Sequence, residues 1–217
     1  MAHHAISARA MLGRILAIAE RNPRQAVHLA QRMARRRPRD PWGQLGLGLA
    51  WLAWERPHTA RKPLERARAV FARRSCLPGL LRCEYGLLQI DRFTFARPHI
   101  DQDLAKLADR AEASGERQLA ALVRLNQARQ LNVSGAPQAA AALLDQVAPI
   151  MRARGPTALA RLRRIQAVAA HRQGRASEAV AILCELEQIF RRRGMLIEVA
   201  RTLFERTAIV MRYDIAA

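Results

Sequence analysis

The sequence contains little cysteine, few aromatic residues and no long uninterrupted apolar run. The three cysteines, Cys76, Cys83 and Cys184, are an odd number without metal-ligand spacing, which predicts free, buried thiols in a reducing compartment. No stretch reaches about 18 apolar residues without a charge, so we expect no transmembrane helix. The amino terminus also lacks the long uncharged core and the cleavage site of a secretory signal. These absences predict a cytoplasmic protein.

Aromatic residues make up only 5% of the 217 residues, although half of the chain is hydrophobic. Most of this apolar content is alanine and leucine, which favour helices. Runs of β-branched residues bounded by turn residues are rare, so strands are hard to place. The composition therefore predicts an all-α protein, long enough for one domain or one run of repeats.

Motifs of known catalytic chemistry are also missing. The chain contains no Gly-x-Ser-x-Gly, no phosphate-binding P-loop, no His-Glu-x-x-His and no Cys-x-x-Cys. His99, Asp101 and Asp103 imitate a metal cluster, but acidic residues at a helix start are better explained by the helix dipole. Cys76 and Cys83 are better explained by ordinary burial than by a thiol site. We expect no enzyme activity, no cofactor and no metal.

Acidic residues are too few to balance the basic ones. The chain has 37 Lys and Arg against 18 Asp and Glu, a formal net charge of +19. Residues 1–75 hold 16 of the basic and 4 of the acidic side chains, so this third is the strongest candidate for contact with an acidic partner. Its densest basic patch consists of Arg35, Arg36, Arg37 and Arg39. The patch is interpreted either as an anchor for an anion or as a solvated helix C-terminus.

Helical periodicity extends over nearly the whole chain and is interrupted at short intervals by glycine and proline. Five pairs and one unpaired helix are predicted, at about 6–20 with 24–36, 42–55 with 58–74, 80–91 with 99–115, 116–133 with 137–153, 157–172 with 176–192, and 196–212. Prolines 23, 57, 98, 137 and 156 fall at helix starts. Pro63 fits a first turn only if its helix starts late, and Pro149 is expected to kink its helix.

Glycines give the period of this pattern. Gly115, Gly155 and Gly194 are 40 and 39 residues apart, and Gly135 and Gly174 are 39 apart. Helix and turn alternating at a fixed period indicate a helical-repeat solenoid. The sequence thus predicts a single domain over residues 1–217, an all-α, right-handed α-solenoid of antiparallel helix pairs.

The stretch GRASEAVAIL, residues 174–183, shows how such pairs can pack. Gly174 ends one helix in a left-handed conformation, and Ala179 follows where the next helix lies nearest its neighbour. One turn later the helices have diverged, and Leu183 fills the space between them.

The segment PWGQLGLGLAWLAWERPHTARKPLERARAVFA resembles a tetratricopeptide repeat. Leu47, Gly48 and Trp51 lie on the large–small–aromatic positions of that family. Ala60, Leu64 and Ala67 lie on its small–large–small positions. Later repeats carry small residues at matching positions: Ala128 and Ala140, then Ala167 and Ala179. Their length is similar to the longer repeats of bacterial signalling and transcription regulators. The resemblance implies a scaffold that binds a protein or peptide in a concave groove, including another domain of the same longer chain.

In the resembled family the first helix of each pair lines the concave surface. Carried over by register, this implies groove positions for Trp42, Leu45, Leu49, Leu52, Arg129, Asn132, Arg161, Arg164 and His171. A groove apolar at one end and basic at the other would suit a peptide with hydrophobic anchors and carboxylates. The alternative is that neighbouring helices bury the leucines and that the arginines are solvated.

Nucleic-acid binding is the main rival function, because helical repeats can read RNA and the net charge would favour it. Stacking on bases needs exposed aromatic residues beside the basic patch, and Trp42 and Trp54 are the only candidates. No pair of polar residues recurs at equivalent positions, which argues against base readout. A membrane-surface role for the helix at residues 8–20 is a weaker alternative, and we expect no membrane partner.

The final predicted helix has no partner in the chain and is too apolar for a helix exposed on both sides. Its apolar residues are Leu196, Ile197, Val199, Leu203, Phe204, Ile209 and Val210. We expect its free face to meet a partner chain, a symmetry mate or a missing segment, which leaves self-association open.

Overall fold

A computed structural model describes residues 2–94 and 99–214, with side chains described from residue 9 to residue 212 of those ranges. They form α1 (Ala2–Ala19), α2 (Pro23–Arg36), α3 (Pro41–Ala53), α4 (Pro57–Arg73), α5 (Leu77–Phe93), α6 (Ile100–Ala113), α7 (Arg117–Val133), α8 (Pro137–Ala153), α9 (Pro156–Arg172), α10 (Ala176–Arg192) and α11 (Leu196–Asp214). No strand occurs in these ranges, which confirms the all-α fold class. The predicted helix boundaries agree to within a few residues.

Six turns between the helices, those after α3, α4, α6, α7, α9 and α10, share one hydrogen-bond geometry. At the end of α9, Gly174 has a φ of 85°, and the N–H of Arg175 donates to the carbonyl of Ala170 at 3.0 Å. This bond to the fifth residue back is the Schellman motif, which satisfies a helix-end carbonyl. Glu55 and Ser75 take the same left-handed conformation without glycine, at a cost of about 1–2 kcal/mol per residue.

Proline is the first residue of α2, α3, α4, α8 and α9, where its missing N–H leaves no hydrogen bond unmade. Pro98 lies outside the described residues. Pro63 lies inside α4, because that helix begins at Pro57, so Pro63 does not belong to a first turn. Pro149 lies inside α8, and the kink there stays a prediction.

The chain divides into two compact units, residues 1–116 and 117–217, each with its own core. The single-domain organisation stays a prediction. In unit 1, α3 packs against α1, α2, α4 and α5. At Gly48 a Cβ atom would lie 2.5 Å from Leu64 Cγ and 3.3 Å from the carbonyl oxygen of Ala60. Only glycine therefore allows α3 and α4 to approach so closely.

Unit 2 is built from successive contacts of α7 with α8, α8 with α9, α9 with α10, and α10 with α11. In the GRASEAVAIL segment, Ala179 and Leu183 are fully buried and share a cluster with Ala167 and Ala170 of α9. The small residue thus lies at the crossing and the large one fills the space beside it. Each first helix also contacts the next, α7 with α9 and α9 with α11.

Candidate functional site

Most of the predicted apolar groove residues lie in the core of unit 1. Leu45 has no exposed surface, and Trp42 and Leu52 are 8% and 9% exposed. The ring of Trp42 meets that of Phe71 edge-on, with centroids 4.9 Å apart. These three side chains offer a partner no open surface, because α3 is covered by four neighbouring helices. Leu49 remains partly exposed beside the same cluster.

The aromatic residues near the basic patch are engaged with each other. Trp54 stacks on Trp51 with ring centroids 5.3 Å apart and an interplanar angle of 3°. Trp42 was the second candidate for an exposed ring, and its burial removes it. Stacking of bases on open aromatic rings therefore gains no support from these positions.

Charged residues from α9 and α11 meet in unit 2. Arg164, whose side chain is 3% exposed, places Nη1 2.9 Å from Glu205 Oε1 and Nη2 3.4 Å from Glu198 Oε2. Arg161 Nε donates to Glu198 Oε1 at 2.9 Å. Arg201 of α11 lies 3.4 Å from the same oxygen. Two predicted groove arginines are thus held by glutamates that sequence reasoning missed.

The spacing of Glu198 and Glu205 in the sequence could have predicted their ion pairs. They lie seven residues apart, which is two helical turns, so they share one face of the last helix. An acidic pair on that face, following a helix with arginines on its inner positions, predicts ion pairs between successive first helices.

The pKa values of the two carboxyl groups move in opposite directions. Burial would raise the pKa of Glu198, but the charges of the surrounding arginines, Arg161 first, together lower it. Burial raises the pKa of Glu205, although Arg164 and Arg129 act against the rise. Glu198 is therefore the firmly charged member of the pair.

The remaining predicted groove residues lie on α7 and at the end of α9. Arg129 is half-buried, and its charge acts on both glutamates. Asn132 is 1% exposed and its Nδ2 donates to the Ile165 carbonyl at 3.2 Å, which ties α7 to α9. His171 is half-buried, and burial, Arg212 and Arg172 lower its pKa. Arg129, Arg161, Arg164, Arg201, Glu198 and Glu205 are called the arginine–glutamate cluster below.

The predicted basic patch is exposed, and α4 extends it. Arg35, Arg36, Arg37 and Arg39 are all exposed, and Arg74 Nη2 donates to the Arg39 carbonyl at 3.1 Å. Arg74, directly after α4, therefore lies beside the turn that follows α2, which adds Arg74 and its neighbour Arg73 to the basic surface. Among the described residues, none of these six guanidinium groups forms an ion pair with a carboxylate. We call these six residues the arginine patch.

The described residues contain no group of three or more His, Cys, Asp or Glu side chains placed to hold a metal ion. Cys83 is buried, but Cys76 and Cys184 are only partly buried, so the expectation of three buried thiols is wrong for these two. Cys76 is the N-cap residue of α5, and Cys184 lies in the middle of α10, where Arg206 Nη1 is 3.4 Å from its Sγ. Over the same ranges, no helix is both long and apolar enough to cross a membrane.

No family model and no curated protein matches the sequence. Among solved structures, two crystal structures described as a kinesin light chain with nearly identical TPR-like repeats, from Podosopora anserina, are similar in fold. Their sequence identity is 18%, with TM-scores of 0.53 and 0.52, over 85% of this chain and 95% of the other. The fold is thus a TPR-like helical-repeat solenoid.

Proposed function

We propose that the protein is a non-enzymatic interaction scaffold that binds an acidic segment of another polypeptide, or of another domain of a longer chain. The arginine–glutamate cluster of unit 2 is the proposed binding site. One observation carries the proposal: four guanidinium groups act on only two carboxylates there. Counted by its own six side chains, the cluster has a formal excess of positive charge.

The internal ion pairs prepare the site for a partner. Arg164 is almost fully buried and orders both glutamates, whereas the side chain of Arg161 is 30% exposed. A partner carboxylate can reach Arg161 from solvent without breaking the buried pairs. Charge-assisted hydrogen bonds of this kind are about twice as strong as neutral ones. Because the arginines are already held in place, binding loses little side-chain freedom.

The test measures binding of a labelled peptide that alternates glutamate and leucine, with a lysine–leucine peptide for comparison. Arg161→Gln should weaken the acidic peptide about tenfold, since a hydrogen bond to a charged group contributes about 1.5–3 kcal/mol. The matched control is Arg163→Gln on the same helix, which removes an arginine 2.6 Å from Glu185 outside the cluster. Equal affinity of both variants, or equal binding of both peptides, would refute the proposal.

Nucleic-acid binding is the second candidate, and the arginine patch favours it. Six exposed arginines without carboxylate partners form an electrostatic footprint for a phosphate backbone. Without open aromatic rings beside them, binding would be independent of base sequence. A salt titration of binding to a random-sequence RNA duplex tests this: affinity must fall steeply with salt and weaken in Arg36→Gln and Arg73→Gln. Affinity that does not respond to salt would remove this candidate.

A further inference from the structure

One face of α11 carries an exposed apolar stripe. Leu196, Phe204 and Met211 are 75%, 76% and 57% exposed. Ala200 and Thr207 lie between them in helical register and are also exposed. These five residues, spaced four, four, three and four apart, are called the α11 stripe. The opposite side of the helix is buried through Val199, Ile209 and other residues.

The register of the repeat identifies what kind of surface the α11 stripe is. Helices α7 and α11 both begin two residues after a glycine with positive φ. Counting from those starts, Ala200, Phe204 and Thr207 correspond in turn to the α7 residues Ala121, Leu125 and Ala128. In α7 this small–large–small set is buried.

In α7 the covering element is α8. Ala140 and Leu144 of that helix are fully buried in the same cluster as the three α7 residues. Ala179 and Leu183 of α10 repeat the same small-then-large spacing of four, against α9. The α11 stripe is therefore the surface on which a first helix of this fold receives its second helix.

We infer that the α11 stripe binds an amphipathic helix of a partner polypeptide, with a small residue and a large apolar residue four apart and acidic residues beside them. The acidic requirement comes from Arg201 and Arg212, which border one side of the stripe in helical register. An approaching carboxylate would meet the positive charge of these guanidinium groups on that border. Arg201 also belongs to the arginine–glutamate cluster, but the five residues of the α11 stripe do not, so the inference goes beyond the proposed function.

A second copy of the chain fits the stripe less well. Two copies would bring two strongly basic molecules together, each with a formal net charge of +19. Stable interfaces also involve roughly 20–30 residues a side, far more than one helical stripe provides. A single acidic helix needs only anchors at intervals of three and four residues, which the stripe supplies.

The test uses the full chain and a labelled synthetic peptide of residues 176–192 with Cys184→Ser, since this α10 sequence has the required spacing and three glutamates. Fluorescence anisotropy should show saturable binding that Phe204→Glu weakens at least tenfold. Val133→Glu is the matched control, because Val133 is a 56% exposed apolar residue on α7. Circular dichroism of both variants checks that they fold.

The outcomes distinguish a partner helix from a second copy of the chain as the occupant of the α11 stripe. Three results together would support the inference. The peptide should no longer bind Phe204→Glu, should still bind Val133→Glu, and should bind more weakly when its glutamates are changed to glutamine. Equal binding by both variants would overturn it. Sedimentation showing a dimer that Phe204→Glu converts to monomer would also overturn it, because a second copy would then cover the stripe.

Discussion

Replacing Arg164 by methionine removes the centre of the arginine–glutamate cluster while keeping the volume of the side chain. Glu198 retains Arg161 at 2.9 Å and Arg201 at 3.4 Å, but Glu205 loses its 2.9 Å contact. Removing one partner of a buried ion pair costs about 3–5 kcal/mol. Because Glu198 remains paired, we expect Arg164→Met to lower the free energy of unfolding by about 3 kcal/mol at pH 7.

Two further measurements test the reason for that loss. Adding Glu205→Gln to the variant should restore at least about 1 kcal/mol, because the unpaired carboxylate is then gone. Burial raises the pKa of Glu205, so acidification from pH 7 to pH 5 favours its neutral form in the folded protein. The cost of Arg164→Met should therefore shrink as the pH falls. Urea unfolding followed by circular dichroism measures each value, and a cost below about 1 kcal/mol, or one that grows on acidification, would refute the reasoning.

Two other predictions concern single groups in their local environments. Burial raises the pKa of the Cys83 thiol to about 12, so a thiol reagent at pH 8 should modify Cys184 in the folded protein and Cys83 only after unfolding; rapid labelling of Cys83 in the folded chain would contradict this. The hydrogen bond from Arg82 lowers the pKa of Glu116, so its stabilising effect is present above the ordinary glutamate pKa and is lost as the pH falls through the lowered value. Glu116→Gln should then be less stable than the natural protein at pH 7 and equally stable in strong acid, and a difference that does not change with pH would argue against this ion pair.

Local signals in the sequence were sufficient to place the helices. Gly115, Gly155 and Gly194 mark turns because their positive φ suits a residue without a side chain. Glu55 and Ser75 adopt the same geometry without that signal, so the turns of unit 1 were visible mainly through the prolines beside them.

Exposure of the candidate site was much harder to predict. Leu45 has the period of a groove residue, but α1, α2, α4 and α5 all cover α3, and the periodicity of α3 alone does not report them. Similarly, Arg164 was predicted on an inner position, whereas its partner Glu205 lies 41 residues away. The charged residues that form ion pairs depend on how successive repeats stack. The period of the repeat in the sequence determines this stacking only approximately.

The stacking of small against large side chains is tested most directly by adding volume at one crossing. Ala179→Leu introduces three carbon atoms at a fully buried position between α9 and α10. Ala181→Leu adds the same atoms at an exposed position of the same helix. Overpacking costs about 1–3 kcal/mol, whereas exposed substitutions stay within about 0.5 kcal/mol. We predict that urea unfolding separates the two variants by at least about 1 kcal/mol; equal stabilities would contradict the requirement for a small residue where the helices cross.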